Sequence, residues 1–375
     1  MSDVLPNCPT PMRRQFPVLR FVETSGLALS PASIAIAIFT SVLLGLAGWG
    51  LDQVFGSITS NQKSSFHVHS TPPAIVIGLV FDPTRIVQPI IPWANVVHPA
   101  VFAVTTERGP YWRVIGLIRS VLAFVVWSLI GVILCRRSAY IFAGNDEYQV
   151  LQAVNFGVRS WKASLLAPVI PILAVLMIGL AIALIGLLGR FPVLGSAWLA
   201  VCSPVITILS LLAATLLLVT SVGWPLMVAA VATDDCDSFG ALSRAYSGLT
   251  SKPWQVVGYL LISAIVGTIL MLTTTLVVET AVWFATTFAA LGSGEAVARS
   301  SLLGPLRAIV HEIEMGIGIS FFWSTACVTY LFLRLEVDGV PFESIVDEHA
   351  ASANRDPLPV VGIPATDSKP EPPTS

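Results

Sequence analysis

Charge is what this sequence lacks most. Only 11% of its 375 residues are Asp, Glu, Lys or Arg, against about 25% in an average soluble domain. So few charges cannot clothe a soluble globule of this length, whereas lipid solvates the outside of a membrane protein without them. The net charge of −2 excludes the basic field that nucleic-acid binding requires. Cysteine is also scarce. Cys8, Cys135, Cys202, Cys236 and Cys327 are scattered, odd in number and never in C-x-x-C spacing. Neither a disulfide framework nor a zinc site is expected. Phosphate-cradling glycine motifs are missing, so no nucleotide partner is expected.

Catalytic constellations are equally thin. His311-Glu312 opens like a metalloprotease H-E-x-x-H, but Met315 stands where the second histidine should be. Gly48-Trp49-Gly50-Leu51 carries leucine where an intramembrane aspartyl protease needs its aspartate. Ser196 has no histidine in a neighbouring span to activate it. His67 and His69 share one face of an extended strand, with His98 and Asp82 in the same loop. Their spacing matches no standard metal site. The expectation is therefore a protein that is not an enzyme and takes no cofactor.

What is present is apolar sequence, 55% of the chain. A spanning helix needs about 20 mostly apolar residues to cross about 30 Å of hydrocarbon. Six stretches qualify: residues 32–51, 114–134, 164–188, 199–222, 254–278 and 313–333. The predicted fold is all-α, a polytopic transmembrane bundle of about six spans. The fifth span has an open end, because apolar sequence continues past Glu279 through Trp283, Phe284, Phe288 and Leu291. It reads either as one long tilted helix or as a span followed by an outer interfacial turn. Residues 1–31 read as a cytoplasmic N-terminal segment, 52–113 as an outer loop and 346–375 as a disordered cytoplasmic tail. Basic residues favour both termini inside, twelve on inner segments against six on outer loops. Arg136-Arg137 supplies the strongest stop signal. The multi-pass protein is expected in the inner, cytoplasmic membrane of a bacterial cell, with the lipid bilayer as partner and other membrane proteins as candidate partners.

Two inner segments share a pattern of acids first, an apolar stripe, then bases. Residues 145–162 begin with Asp146-Glu147, carry Val150, Val154 and Val158 at helical spacing, and end in Arg159 and Lys162. Residues 234–254 begin with Asp234, Asp235 and Asp237 and carry Phe239, Leu242, Tyr246 and Leu249. They end in Arg244, Lys252 and Trp254. Such charge placement suits the helix dipole, Asp237 or Ser238 can cap the second helix, and the stripes suit helices lying in the headgroup region. Two interfacial amphipathic helices are expected on the inner face. Trp224, Phe239, Leu242, Arg244, Tyr246, Lys252 and Trp254 are the candidate lipid-facing residues. Pro225, beside Trp224, should mark where the fourth helix leaves the hydrocarbon.

These segments carry a resemblance. Gly223-Trp224-Pro225-Leu226-Met227, then Asp237-Ser238-Phe239-Gly240-Ala241-Leu242-Ser243-Arg244-Ala245-Tyr246-Ser247 and Lys252-Pro253-Trp254, resembles a family of uncharacterised bacterial polytopic membrane proteins. Leu333-Arg334 with Val337-Asp338-Gly339 fits the same pattern. Gly240 departs from it, where a larger polar or acidic residue is expected. The resemblance spans about residues 115–345 and implies a multi-span helical domain without catalytic residues. A looser similarity is to membrane domains that accompany glycerophosphodiester phosphodiesterases, whose catalytic domain is not found here.

Charge within the apolar spans is the remaining signal. A charge at mid-membrane costs about 2.5–3.5 kcal/mol on insertion scales, so Arg119 requires a partner or an exit to the interface. Glu279, Glu312 and Glu314 are the candidates for an ion-pair cluster with it, in the outer half of the bilayer. Gly179 and Ala183, and Gly316 and Ser320, stand four apart and suit close helix packing. Two activities follow from these features. One is a non-enzymatic scaffold or membrane-organising component. The other is a transporter or channel component for a small solute or lipid.

Overall fold

The computed structural model describes residues 20–56, 110–144, 148–191, 194–293 and 303–342, with residue 345 and a few positions between 92 and 101. Eight helices carry the architecture: α1 (Arg20–Ala28), α2 (Pro31–Gly56), α3 (Pro110–Phe142), α4 (Val150–Leu188), α5 (Leu194–Asp234), α6 (Ser238–Ser251), α7 (Pro253–Ser293) and α8 (Leu303–Asp338). Six of them, all but α1 and α6, are long and apolar enough to cross a membrane. The molecule is an all-α polytopic bundle. The His67, His69, His98 and Asp82 group, most of the outer loop and the tail after residue 345 lie outside the described residues.

The last helix is the centre. Of the apolar stretch of α8, 94% is buried, against 6% in α4 and in α5. Helix α8 packs on α1, α2, α3, α5 and α7. Its Trp323 meets Trp224 of α5 edge-on at 5.7 Å between ring centroids. The same indole lies over Gly131 of α3, where an added Cβ would sit 2.6 Å from the ring. Beside that contact Ser138 and Ser324 share a hydrogen bond of 2.9 Å. The Cys135 and Cys327 thiols donate across the same seam to the carbonyls of Trp323 and Cys135, at 3.4 and 3.3 Å. Small and polar residues thus let two backbones approach, as membrane packing requires.

The helices exceed the expected spans. At 1.5 Å per residue, the 39 residues of α4 measure about 58 Å, well beyond the hydrocarbon. Residues 150–162 therefore form the first turns of α4 and not a separate interfacial helix. Phe156 and Ala153 bury one side of this stretch, while Leu151 and Val158 remain exposed. The helix continues through Pro168 and Pro171. Helix α5 likewise runs nine residues past Pro225 to Asp234, so that proline does not end it. The fifth span is one continuous helix of 41 residues that includes Glu279.

Residues 20–28 of the N-terminal segment form a docked helix. Phe21 is buried and stacks on Phe332 at 5.0 Å and on Tyr259 at 5.4 Å. Of the small-residue pairs, Gly316 faces Ile38 and Ile34 of α2, whereas Gly179 meets nothing within 4 Å. Gly179 belongs to the far half of the α4–α5 hairpin, whose outward positions, such as Leu176, Leu180, Ile208 and Leu211, are exposed.

Candidate functional site

The polar chemistry gathers at the end of the bundle where α5, α6 and α8 meet. Helix α5 stops at Asp234 and the chain reverses over Asp235, Cys236 and Asp237. Asp235 takes the left-handed conformation, φ 47°, which aspartate tolerates better than most residues. The Asp237 carboxylate then accepts from the Gly240 amide at 2.8 Å and caps α6. Gly240 lies against that cap: an added Cβ would come within 2.8 Å of the Asp237 carboxylate. A larger residue there would press on the cap.

Asp234 is the hub of this end. Its carboxylate is an unfavourable charge at a helix C-terminus and is nearly fully buried, at 5% exposure. Three groups surround it: the Arg244 guanidinium of α6 and the Tyr330 hydroxyl, which donate hydrogen bonds, and the Arg334 guanidinium of α8, an ion pair at 3.1 Å. Burial works against the Arg244 charge. Asp234 more than offsets this and holds the guanidinium above its ordinary pKa, so it stays charged. Between the α5 and α6 helices, burial pushes the Cys236 thiol up to about 12. Asp235 meanwhile pairs with Arg159 of α4 at 3.2 Å and accepts from the Ser160 hydroxyl at 3.5 Å.

The arginine doublet of α3 continues the network. Arg136 is completely buried. It donates to the Ala232 carbonyl at 2.7 Å, one of the carbonyls that the end of α5 leaves unpaired. Its guanidinium lies 4.0 Å from the Phe156 ring centroid and 4.9 Å from that of Tyr140, cation–π geometry in both cases. Arg137 donates to the Ser33 hydroxyl at 2.6 Å and to Ser30, at the start of α2. The residues read as a stop signal also join three helices.

A cavity of about 210 Å³ opens beside Asp234. Its polar lining is Ser243, Arg244, Ser247, Tyr330, Arg334 and Asp338, and Leu226, Leu333 and Val337 supply apolar wall. Tyr330, Arg334 and Asp338 stand four apart, which places them on one face of α8.

The expected lipid-facing set divides. Phe239 is 67% exposed and Trp254 85%, and Lys252 is exposed, as helix anchors at an interface should be. Trp224 is not lipid-facing. It is buried at 4% between Phe124 and Trp323. Leu242 and Tyr246 also turn toward the core, and the Tyr246 hydroxyl shares a 2.9 Å hydrogen bond with Thr220. Arg244 turns toward Asp234. The small residues Ala241, Ala245 and Gly248 let α6 lie close to the bundle.

At the opposite end, Arg119 reaches the Gly48 carbonyl of α2 at 3.5 Å. Glu314 is buried in α8 at 5% exposure, while Glu279 on α7 and Glu312 on α8 are half-buried. Asp234, Tyr330, Arg334 and Arg136 were not singled out by sequence as a site. The four-residue spacing of Tyr330, Arg334 and Asp338 was the available signal. The meeting of Asp234 with Arg334, a hundred residues apart, leaves no local trace.

No family model, curated protein or solved structure matches this chain. The resemblance carried by the 223–227 and 237–247 segments therefore rests on those residues alone.

Proposed function

We propose that this protein is a non-enzymatic membrane-organising or assembly component of the inner membrane, with both termini in the cytoplasm. The observation that carries this reading is the division of the bundle. One part is closed around α8. The other, the far half of the α4–α5 hairpin, presents apolar side chains outward over several turns. In the bilayer such a hairpin is an apolar fin, available to lipid and to neighbouring spans without disturbing the centre. The basic residues placed on the α6 side support the orientation.

A second reading, a transporter or channel component, draws on one observation: Glu314 is buried in α8, and intramembrane carboxylates commonly mark ion or solute paths. Purification of the full chain in native lipid discs, with identification of co-purifying proteins and lipids, separates the two. The organising reading expects a stoichiometric membrane-protein partner or a retained lipid shell. A bound small solute, with flux of that solute in proteoliposomes lost in Glu314→Gln, would replace it with the transport reading.

A further inference from the structure

The cavity at the α6 end invites a specific occupant. Its two arginines do not make it a simple anion site, because their charges are already matched. Arg244 and Arg334 bring two positive charges; Asp234 behind them and Asp338 on the lining bring two negative ones. A net anion or cation entering this space would leave one charge unbalanced. A zwitterion keeps the balance.

The polar groups are also sorted for one. A carboxylate has about four lone-pair sites, and the Tyr330 hydroxyl uses one on Asp234. A guanidinium has five N–H donors, more than Asp234 can accept from Arg244 while also holding Arg334. The Ser243 and Ser247 hydroxyls stand one turn apart on the same helix as Arg244. This is donor chemistry for a phosphate diester. Asp338 is acceptor chemistry for an ammonium that carries N–H bonds. The volume of 210 Å³ corresponds to about seven waters of bulk liquid, room for a compact head. Exposed Phe239 and Trp254 on either side of α6 set the cavity at headgroup depth.

From this we infer that the α6-end cavity binds a phosphoethanolamine group, a phosphate diester bearing a primary ammonium. Arg244, Ser243 and Ser247 face the phosphate and Asp338 the ammonium. The proposal stands independently of the organising reading: a partner-free protein could still hold this head, and a scaffold could lack it.

Native mass spectrometry of the detergent-solubilised full chain tests it, with phosphatidylethanolamine, phosphatidylglycerol and phosphatidylcholine of matched acyl chains. Wild type should retain phosphatidylethanolamine over the other two, because glycerol carries no positive charge and a quaternary ammonium has no N–H to donate. Asp338→Asn should lower that preference by about tenfold, as expected for one hydrogen bond to a charged group. Ser247→Leu should lower retention of all three. Neither residue contacts Asp234, so the helix junction stays intact, and an unchanged melting temperature verifies it. Competition by soluble glycerophosphoethanolamine at concentrations similar to the lipid would support the same head chemistry with an aqueous source; lipid-only binding would support a bilayer source. Equal retention of phosphatidylglycerol, or an unchanged preference in Asp338→Asn, overturns the proposal.

Discussion

The central helix α8 is built from less apolar sequence than the α4–α5 hairpin, with mean hydropathy 1.5 against 2.8 and 2.5, and the two regions solve different problems. In α8 the side chains face other helices, so each position is constrained by shape: Trp323 needs Gly131, and Ser324 needs Ser138. In the far half of α4 and α5 they face outward, and lipid accepts any apolar shape. In this bundle the most apolar helices are the exposed ones, and high hydropathy does not mark the core. The distinction lies in small and polar residues at the crossings.

The sharpest way to break this comparison is at its ionic end. Asp234→Ala leaves Arg244 and Arg334 without their shared carboxylate. Removing one partner of a buried pair costs about 3–5 kcal/mol, and thermal unfolding in detergent micelles should show a large loss. Double replacement of Asp234 by Asn and Arg334 by Met should recover part of it. The two tryptophans come next. Trp224→Ala should cost about 3–5 kcal/mol as a buried aromatic truncation, whereas Trp254→Ala, at an exposed site, should stay within about 0.5 kcal/mol. Equal effects would mean that α6 and its flanks do not separate inside from outside.

Two glycines extend the test at smaller scale. Gly131→Ala places a methyl against the Trp323 ring and should cost about 1–3 kcal/mol by overpacking. Gly179→Ala has open space and should be neutral or slightly stabilising in the same unfolding assay. The smallest effect concerns Cys236. Its raised pKa keeps the thiol protonated at neutral pH, so iodoacetamide should modify it slowly and only faster as pH climbs toward 12. The unfolded chain loses this proton first, near the ordinary thiol value. Stability from this group is therefore complete below that value and falls as pH rises through the interval to the folded pKa. Cys236→Ser should remove both the slow labelling and that part of the alkaline loss.

Sequence reveals the spans because lipid demands length and hydrophobicity of each one locally. It reveals the Asp237 cap and the exposed Phe239 and Trp254 for the same reason, since each answers to its immediate neighbours. The misreadings have a common cause. Trp224 carries the signature of an interfacial residue, but only the crossing of α5 with α8 decides that it lies inside. Asp234 reads as the start of α6 until its partners on α8 are known. Phe21, Thr24 and Ala28 do stand at helical spacing, a pattern short enough to pass for a flank.

The position of α8 in the chain has a consequence for biogenesis. The element on which the others close, α8, leaves the ribosome after the other seven described helices, and α1, which leaves before them, docks onto it. Until α8 inserts, the Trp224 face of α5, the Gly131 face of α3 and the Asp234 carboxylate lack the partners they meet on α8. Assembly therefore depends on contacts of the longest sequence separation, which form slowly. The partly made protein must wait in the membrane with its inward faces turned to lipid or to a helper, and truncation before α8 leaves five spans with no centre to gather around.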